Sequence, residues 1–312
     1  MISLILPPVL VASLAFLLLI TSPVIGFTAL LPGAILKLLV PVKAVQRAGR
    51  RLSEAGAQLW LHFNHFVYWA FYPTAWQVEL PAGIDPNRSY LLICNHQSWI
   101  DILLLGDVFR GRVPFPRFFL KHELLYVPVI GLGCWAMEMP FMKRHSKEAL
   151  KANPALKRED LETTRKFCEK YREFPVLVVN FVEGTRFNER KRVAFNSPYR
   201  HLLRAKSAGL RIALDAMGDQ FAGIIDVTIA YRPSKYPVVW SFLRGEQNEL
   251  AIHAELIEVP KDLLAGDYDD DAGFRARFQA WVNELWTRKD AKIDALLARP
   301  SSAARTRTPQ GT

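Results

Sequence analysis

Apolar and polar positions divide the chain into two unlike parts. Residues Met1 to Leu36 carry no charged side chain and no histidine, and Val9 to Ser22 form a continuous apolar run that stops at Pro23. Crossing a bilayer takes about 20 apolar residues. This opening therefore predicts a kinked span, or a hairpin that enters and returns at Pro23 or at Pro32-Gly33. A cleaved signal peptide starts basic and has a short apolar region, whereas the first basic residue here is Lys37. Ala57 to Trp76 is also uncharged, but sets His62, Asn64 and His65 among Trp60, Phe63, Phe66, Tyr68, Trp69, Phe71, Tyr72 and Trp76. Such aromatic density suits a helix lying at a membrane interface. It suits an ordinary core helix equally, because periodicity does not separate the two. His62 and His65 have no third ligand candidate nearby and read as packing or interfacial side chains, not metal ligands.

Beyond Trp76, short apolar runs alternate with amphipathic ones. Strands are predicted at Trp76 to Leu80, Tyr90 to Cys94, Phe118 to Leu120, Val176 to Phe181, Ile224 to Tyr231, Val238 to Leu243 and Ala251 to Val259. Helices fit between several of them, most clearly Glu159 to Phe174, which Pro175 stops. Phe274, Phe278, Trp281 and Leu285 recur at helical spacing and predict a C-terminal helix packed on the sheet. The pattern is that of an α/β body, in which ligands sit at loops leaving the strand ends. After Pro300 the composition turns to Ser, Thr, Ala and Arg without apolar periodicity, the signature of a disordered tail.

Composition adds sign and compartment. With 312 residues, half of them hydrophobic, the chain can bury a large core, and 40 Lys and Arg against 30 Asp and Glu leave a net charge of +10. That excess suits anionic lipid, phosphorylated substrates or nucleic acid, and does not choose among them. Lys37, Lys43, Arg47, Arg50 and Arg51 follow the apolar opening with no acidic residue before Glu54. The positive-inside bias then puts the rest of the chain on the cytoplasmic side, with these five cations expected to meet anionic headgroups. Cys94, Cys134 and Cys168 are an odd set without CxxC spacing and read as reduced packing residues. Gly-rich phosphate signatures are absent, so no nucleotide cofactor is indicated.

Two polar segments interrupt buried strands. In the first, Leu91 to Cys94 runs into Asn95, His96, Gln97, Ser98, Trp99, Ile100 and Asp101 before the apolar Ile102 to Leu105. In one helix, five residues turn about 140°, so His96 and Asp101 meet only if the chain bends between them, as a strand-to-helix loop does. Paired, Asp101 accepts the Nδ1 proton and Nε2 is left to take a proton from a hydroxyl, which is general-base chemistry. An isolated HxxxxD is more often an N-capping polar cluster with no chemistry, since a two-residue match is weak. Ser98 and Cys94 stand near His96, but neither sits in a nucleophile elbow, and both read as structural. In the second segment, Val179 to Val182 runs into Glu183, Gly184, Thr185 and Arg186.

In these two signatures, NHxxxxD and EGTR, and in their order and separation, the chain resembles the glycerophospholipid acyltransferase family, lysophosphatidic acid acyltransferases among them. Phe118 to Lys121, Leu124 to Gly131 and Phe141 to Arg144 are similar to the family's intermediate blocks, so the resemblance covers roughly Trp76 to Pro260. It implies a mixed sheet flanked by helices, with an N-terminal membrane-embedded helical segment. The domains implied are residues 1–52 as anchor and basic juxtamembrane segment, 53–76 as interfacial aromatic helix, 77–299 as catalytic domain and 300–312 as tail. It implies His96 as base and Asp101 as its orienter, and Lys121 and Arg186 as the grip on an acceptor phosphate, joined by Arg144. Asn95, Glu183, Gly184 and Thr185 complete the expected substrate-binding set, with no metal and no resident cofactor. The implied partners are a lysophospholipid, most directly 1-acylglycerol-3-phosphate, an acyl-CoA or acyl-carrier-protein donor, and the bilayer, with no nucleic acid. The implied location is the cytoplasmic face of a bacterial inner membrane. One departure stands out: many members carry a proline in the fourth block, where this chain has Ile225-Asp226-Val227-Thr228-Ile229. That leaves lysophosphatidylglycerol or another lysophospholipid open as acceptor, with a non-catalytic anionic-lipid-binding protein and a hydrolase as further alternatives.

Overall fold

A computed structural model describes residues 6–71, 76–142, 162, 165–166, 169–244, 249–268 and 270–299. Arg144, Cys168, residues 159–161, 163–164 and 167 of the helix expected at Glu159 to Phe174, and the tail from Pro300 lie outside them.

The uncharged opening forms one helix, α1 (Pro8–Leu39), followed by α2 (Lys43–Phe71). The chain does not turn back at Pro23 or Pro32. Both prolines lie inside α1, and the reversal falls at residues 40–42. The aromatic segment is not a separate helix either, because α2 passes without a break from Lys43 through residues 52 and 53. Close packing of small residues sets the hairpin. A Cβ on Gly33 would lie 2.3 Å from the Gly49 carbonyl oxygen, and one on Gly56 would lie 2.2 Å from that of Ala29. Only glycine allows backbones to approach so closely. Trp60 Nε1 donates to Ser22 Oγ (2.7 Å), which donates to Asn64 Oδ1 (2.7 Å). Trp60 and Asn64 thus join the two helices.

Beyond the hairpin lies a six-stranded sheet of β1 (Gln77–Glu79), β2 (Ser89–Cys94), β3 (Pro116–Phe118), β6 (Leu177–Phe181), β7 (Phe221–Tyr231) and β8 (Leu250–Ile257), in the order β1-β8-β7-β2-β6-β3. β2 pairs in parallel with both β6 and β7, while β7 and β8 are antiparallel, so the sheet is mixed. β4 (Leu120–Lys121) leaves it to pair with β5 (Phe141–Met142). Period-two alternation gives β2 two buried faces. Leu92 and Cys94 join Val227, Ile229 and Tyr231 in a core with Leu104 of α3 (Ile100–Val108) and Leu61 of α2. Leu91 and Ile93 join Leu210 of α6 (Ser207–Met217) and Phe278, Val282 and Leu285 of α8 (Ala272–Ala298) on the other face. Two further short helices are α4 (Ile130–Ala136) and α5 (Glu189–Ala194).

The run Val238 to Leu243 is a helix, α7, and not a strand. A six-residue apolar run is ambiguous by itself. Here β7 and β8 pair with each other directly, leaving no lane between them, and Pro237 opens the helix.

Polar ties fix the hairpin to the sheet. His65 Nδ1 lies 2.9 Å from Asp107 Oδ1 on α3, and the buried Arg117 on β3 pairs with Glu54 on α2 at 2.6 Å. Of the five basic residues expected at headgroups, Lys37 and Arg50 turn inward instead. Lys37 donates to the Ala136 carbonyl (2.6 Å) and lies 3.5 Å from Glu138, which Arg50 also meets at 3.2 Å. Lys43, Arg47 and Arg51 remain exposed.

Candidate active site

β2 delivers the first polar loop at its C-terminal end, and α3 begins at Ile100, so Asp101 falls in the first helical turn. The loop folds back sharply enough for His96 Nδ1 to reach Asp101 Oδ2 at 2.8 Å. The same oxygen accepts from the backbone N–H groups of Gln97 (2.7 Å) and Ser98 (2.9 Å). Asp101 therefore folds the loop back on itself and partners His96; it does not cap α3, whose N-cap residue Trp99 makes no side-chain cap bond. Its other oxygen, Oδ1, accepts from the Tyr231 hydroxyl at 2.5 Å. Asp101 is fully buried, and charge-assisted hydrogen bonds of this kind offset the cost of removing a carboxylate from water.

A carboxylate can only accept, so Nδ1 of His96 carries a proton, and in the neutral imidazole Nε2 presents its lone pair. Among the described residues Nε2 has no hydrogen-bond partner, and the side chain keeps 14% of its surface exposed. Phe181, the last residue of β6, stacks on the imidazole with ring centroids 4.0 Å apart, and Phe118 of β3 stacks on Phe181 in turn.

The second polar loop docks on the first. Phe187 N–H donates to the His96 carbonyl (2.7 Å), and the Arg186 guanidinium lies 4.6 Å over the exposed Trp99 ring. Gly184 takes φ +67°, a left-handed turn that glycine adopts without strain. Lys191 on α5 donates to Thr185 Oγ1 (2.7 Å) and the Arg186 carbonyl (3.0 Å), holding the loop from behind.

Two residues expected to touch substrate are occupied elsewhere. Asn95 is fully buried, its side chain donating to the Ile229 carbonyl and accepting from the Ile229 N–H, both at 2.9 Å. It stitches the loop to β7. Glu183 is buried and accepts from His96 N–H (3.1 Å) and Leu203 N–H (2.8 Å). Burial pushes its carboxyl up to about 8 despite those two donors. It shapes the loop. Lys121 is exposed on β4, three positions beyond Phe118, with no ion pair to a described residue. Ser98 is buried with its Oγ near the Ile100 N–H, and burial drives the Cys94 thiol well up, so neither presents a nucleophile. Among the described residues no group of three or more His, Cys, Asp or Glu forms a metal site.

Tyr231, Phe181, Trp99 and Lys191 are the site residues that sequence reasoning missed. Tyr231 closes a strand that was predicted, but its link to Asp101 spans 130 positions and leaves no local pattern.

The fourth block also resolves. Asp226 and Thr228 point away from the dyad to the opposite face of β7, where the buried Lys289 of α8 bonds to both and to the Val227 carbonyl.

A family described as Acyltransferase matches residues 76–232, about half of the chain, from β1 through Tyr231. The chain is 26% identical over 219 residues to 1-acyl-sn-glycerol-3-phosphate acyltransferase delta of Homo sapiens, covering 66% of this chain and 52% of that protein. It is 25% identical over 213 residues to the gamma form of Mus musculus, covering 64% and 51%. The chain thus spans about half the length of the curated relatives it matches. The crystal structure of the 1-acyl-sn-glycerophosphate (LPA) acyltransferase PlsC from Thermotoga maritima shares its fold, with a TM-score of 0.55 at 16% identity over 94% of this chain and 98% of that one.

Proposed function

This chain belongs to the acyltransferase family, and from that premise we propose that it acylates the free hydroxyl of a lysophospholipid, 1-acylglycerol-3-phosphate first among them, with His96 as general base. The observation that carries the reading is the 2.8 Å His96–Asp101 pair, with Nε2 open beside the loop that bears Arg186. The acceptor O–H gives its proton to Nε2 as its oxygen attacks the thioester carbonyl of the donor. The tetrahedral intermediate collapses, the C–S bond breaks, and the thiolate leaves with the proton returned by His96. No covalent acyl-enzyme and no resident cofactor are called on, since positioning and the base supply the acceleration.

Arg186 and Lys121 are the proposed phosphate grip, one a planar fork and the other a point charge. Arg144 joins them as an expectation from the family alone. The names of the curated relatives support lysophosphatidate as acceptor. The altered fourth block leaves the choice open, because its Asp226 and Thr228 face Lys289 and not the dyad. The donor is acyl-CoA or acyl-carrier protein.

We place the protein at the cytoplasmic face of a bacterial inner membrane. α1 is long and apolar enough to cross one, and only 24% of its most apolar stretch is buried, too little for a core helix. The uncharged residues 124–135 add exposed Tyr126, Ile130, Leu132 and Trp135 in a segment that packs on α1, and so large an apolar surface marks a contact site.

An acceptor screen with the full chain in nanodiscs tests this reading. Given acyl-CoA or acyl-carrier protein and a panel of lysophospholipids, mass spectrometry is expected to find phosphatidate as the main product. Free fatty acid as the main product points to a hydrolase, and tight liposome or RNA binding without donor consumption points to a non-catalytic protein.

A further inference from the structure

We propose that Tyr231 is a positioning residue of the dyad, fixing the Asp101 carboxylate so that His96 is held as a base. The inference rests on the reading of His96 as base and adds to it a residue outside the two signature loops.

Asp101 divides its hydrogen bonds unevenly. Oδ2 takes three donors, all from its own loop: His96 Nδ1, Gln97 N–H and Ser98 N–H. Among the described residues Oδ1 has one donor, the Tyr231 hydroxyl at 2.5 Å. Three donors on one oxygen hold that oxygen in place but make no bond to its mate. A donor on the second oxygen fixes the carboxylate's rotation about its Cβ–Cγ bond, and with it the direction of the lone pair that meets Nδ1. The same strand is clamped to the loop a second time, through the paired Asn95–Ile229 hydrogen bonds two positions earlier. β7 is thereby tied to both ends of the loop, at Asn95 and at Asp101.

The hydroxyl is suited to this role because burial, then the adjacent Asp101 carboxylate, push the phenol well above its usual range. It remains a donor wherever an imidazole can act as base. The ionisable groups around Tyr231 and Asp101 are His96 and Glu183 from the two loops, Cys94 of β2, Tyr68 of α2, and Asp226 and Lys289 from the opposite face of the sheet. Tyr231 is the one that donates to Oδ1. Without it, Asp101 keeps more negative charge to set against a protonated imidazole, so the neutral base form appears only at higher pH.

Tyr231→Phe removes one oxygen atom and retains the packed ring. The expected result is a fall in kcat of roughly tenfold to a hundredfold, the range for a hydrogen bond to a charged group, at nearly unchanged KM for acceptor and donor. The acid limb of the kcat/KM profile is expected to move to higher pH. Combined with Asp101→Asn, the substitution is expected to cost nothing further, because Tyr231 acts through Asp101. Wild-type kcat and pH profile in Tyr231→Phe, or losses that simply add in the double variant, overturn the proposal. A wild-type chain that transfers no acyl group fails the functional reading instead, a distinct outcome. If Tyr231→Phe does not fold, the double-variant comparison is made with Tyr231→Leu, with the same expected and contrary results.

Discussion

His96 and Asp101 stand five positions apart, a spacing that separates them in a helix and joins them across a strand-to-helix loop. The sequence carried that pair because its members are neighbours along the chain and the flanking apolar runs show where the loop begins. It carried Asn95 and Glu183 as site residues too, but not their direction. A buried amide and a buried carboxyl satisfy backbone donors first, and here Ile229, His96 and Leu203 take them. Glu183 makes a prediction at this scale. Its folded value of about 8 lies above the ordinary 4.5, so its contribution to stability is full below about pH 4.5 and is lost as pH rises through about 8. Thermal melting of the detergent-solubilised chain between pH 5 and 9 is expected to show this loss, and Glu183→Gln is expected to flatten it. The variant also melts lower at pH 5, by the equivalent of about 1–3 kcal/mol, because its NH2 group faces a backbone N–H. Equal pH slopes in the two proteins contradict the assignment.

Strands and helices were legible where the apolar period was unambiguous. β2, β6, β7 and β8 lie within a few residues of expectation, and α8 carries its predicted Phe274, Phe278 and Leu285 inward. α7 was not legible, because six apolar residues fit a strand or a helix and only the direct pairing of β7 with β8 decides between them. Nor was the hairpin turn, since prolines inside α1 resemble breakpoints until the glycines that seat it against α2 are seen. The Lys289–Asp226 pair joins α8 to β7 in the interior, at 2% and 5% exposure. Breaking such a pair from one side leaves a buried charge, so Lys289→Met is expected to cost about 3–5 kcal/mol. Lys289→Met with Asp226→Leu is expected to recover much of that in thermal melting. A single variant within about 0.5 kcal/mol of wild type, the range for surface substitutions, contradicts the pairing.

At the scale of the whole molecule, α2 and α3 pack on one face of the mixed sheet and α6 and α8 on the other, with the proposed lipid-facing surface on the hairpin side. The lipid-facing surface can be tested apart from chemistry. Leu132→Asp with Trp135→Ser is expected to slow acylation of vesicle-embedded lysophosphatidate by roughly tenfold or more, since each buried apolar side chain contributes about 1.5–3 kcal/mol. The rate on detergent-dispersed acceptor is expected to stay close to wild type, and equal losses in both settings argue against membrane contact by residues 124–135. The central claim is that His96 takes the acceptor's proton. Its most direct test is the initial rate of phosphatidate formation from lysophosphatidate and acyl-CoA by the full chain and by His96→Ala in nanodiscs, with melting temperatures as the check on folding. The account predicts a loss of roughly 10² to 10⁴ in kcat at an unchanged melting temperature. A folded His96→Ala chain that forms phosphatidate at the wild-type rate contradicts it.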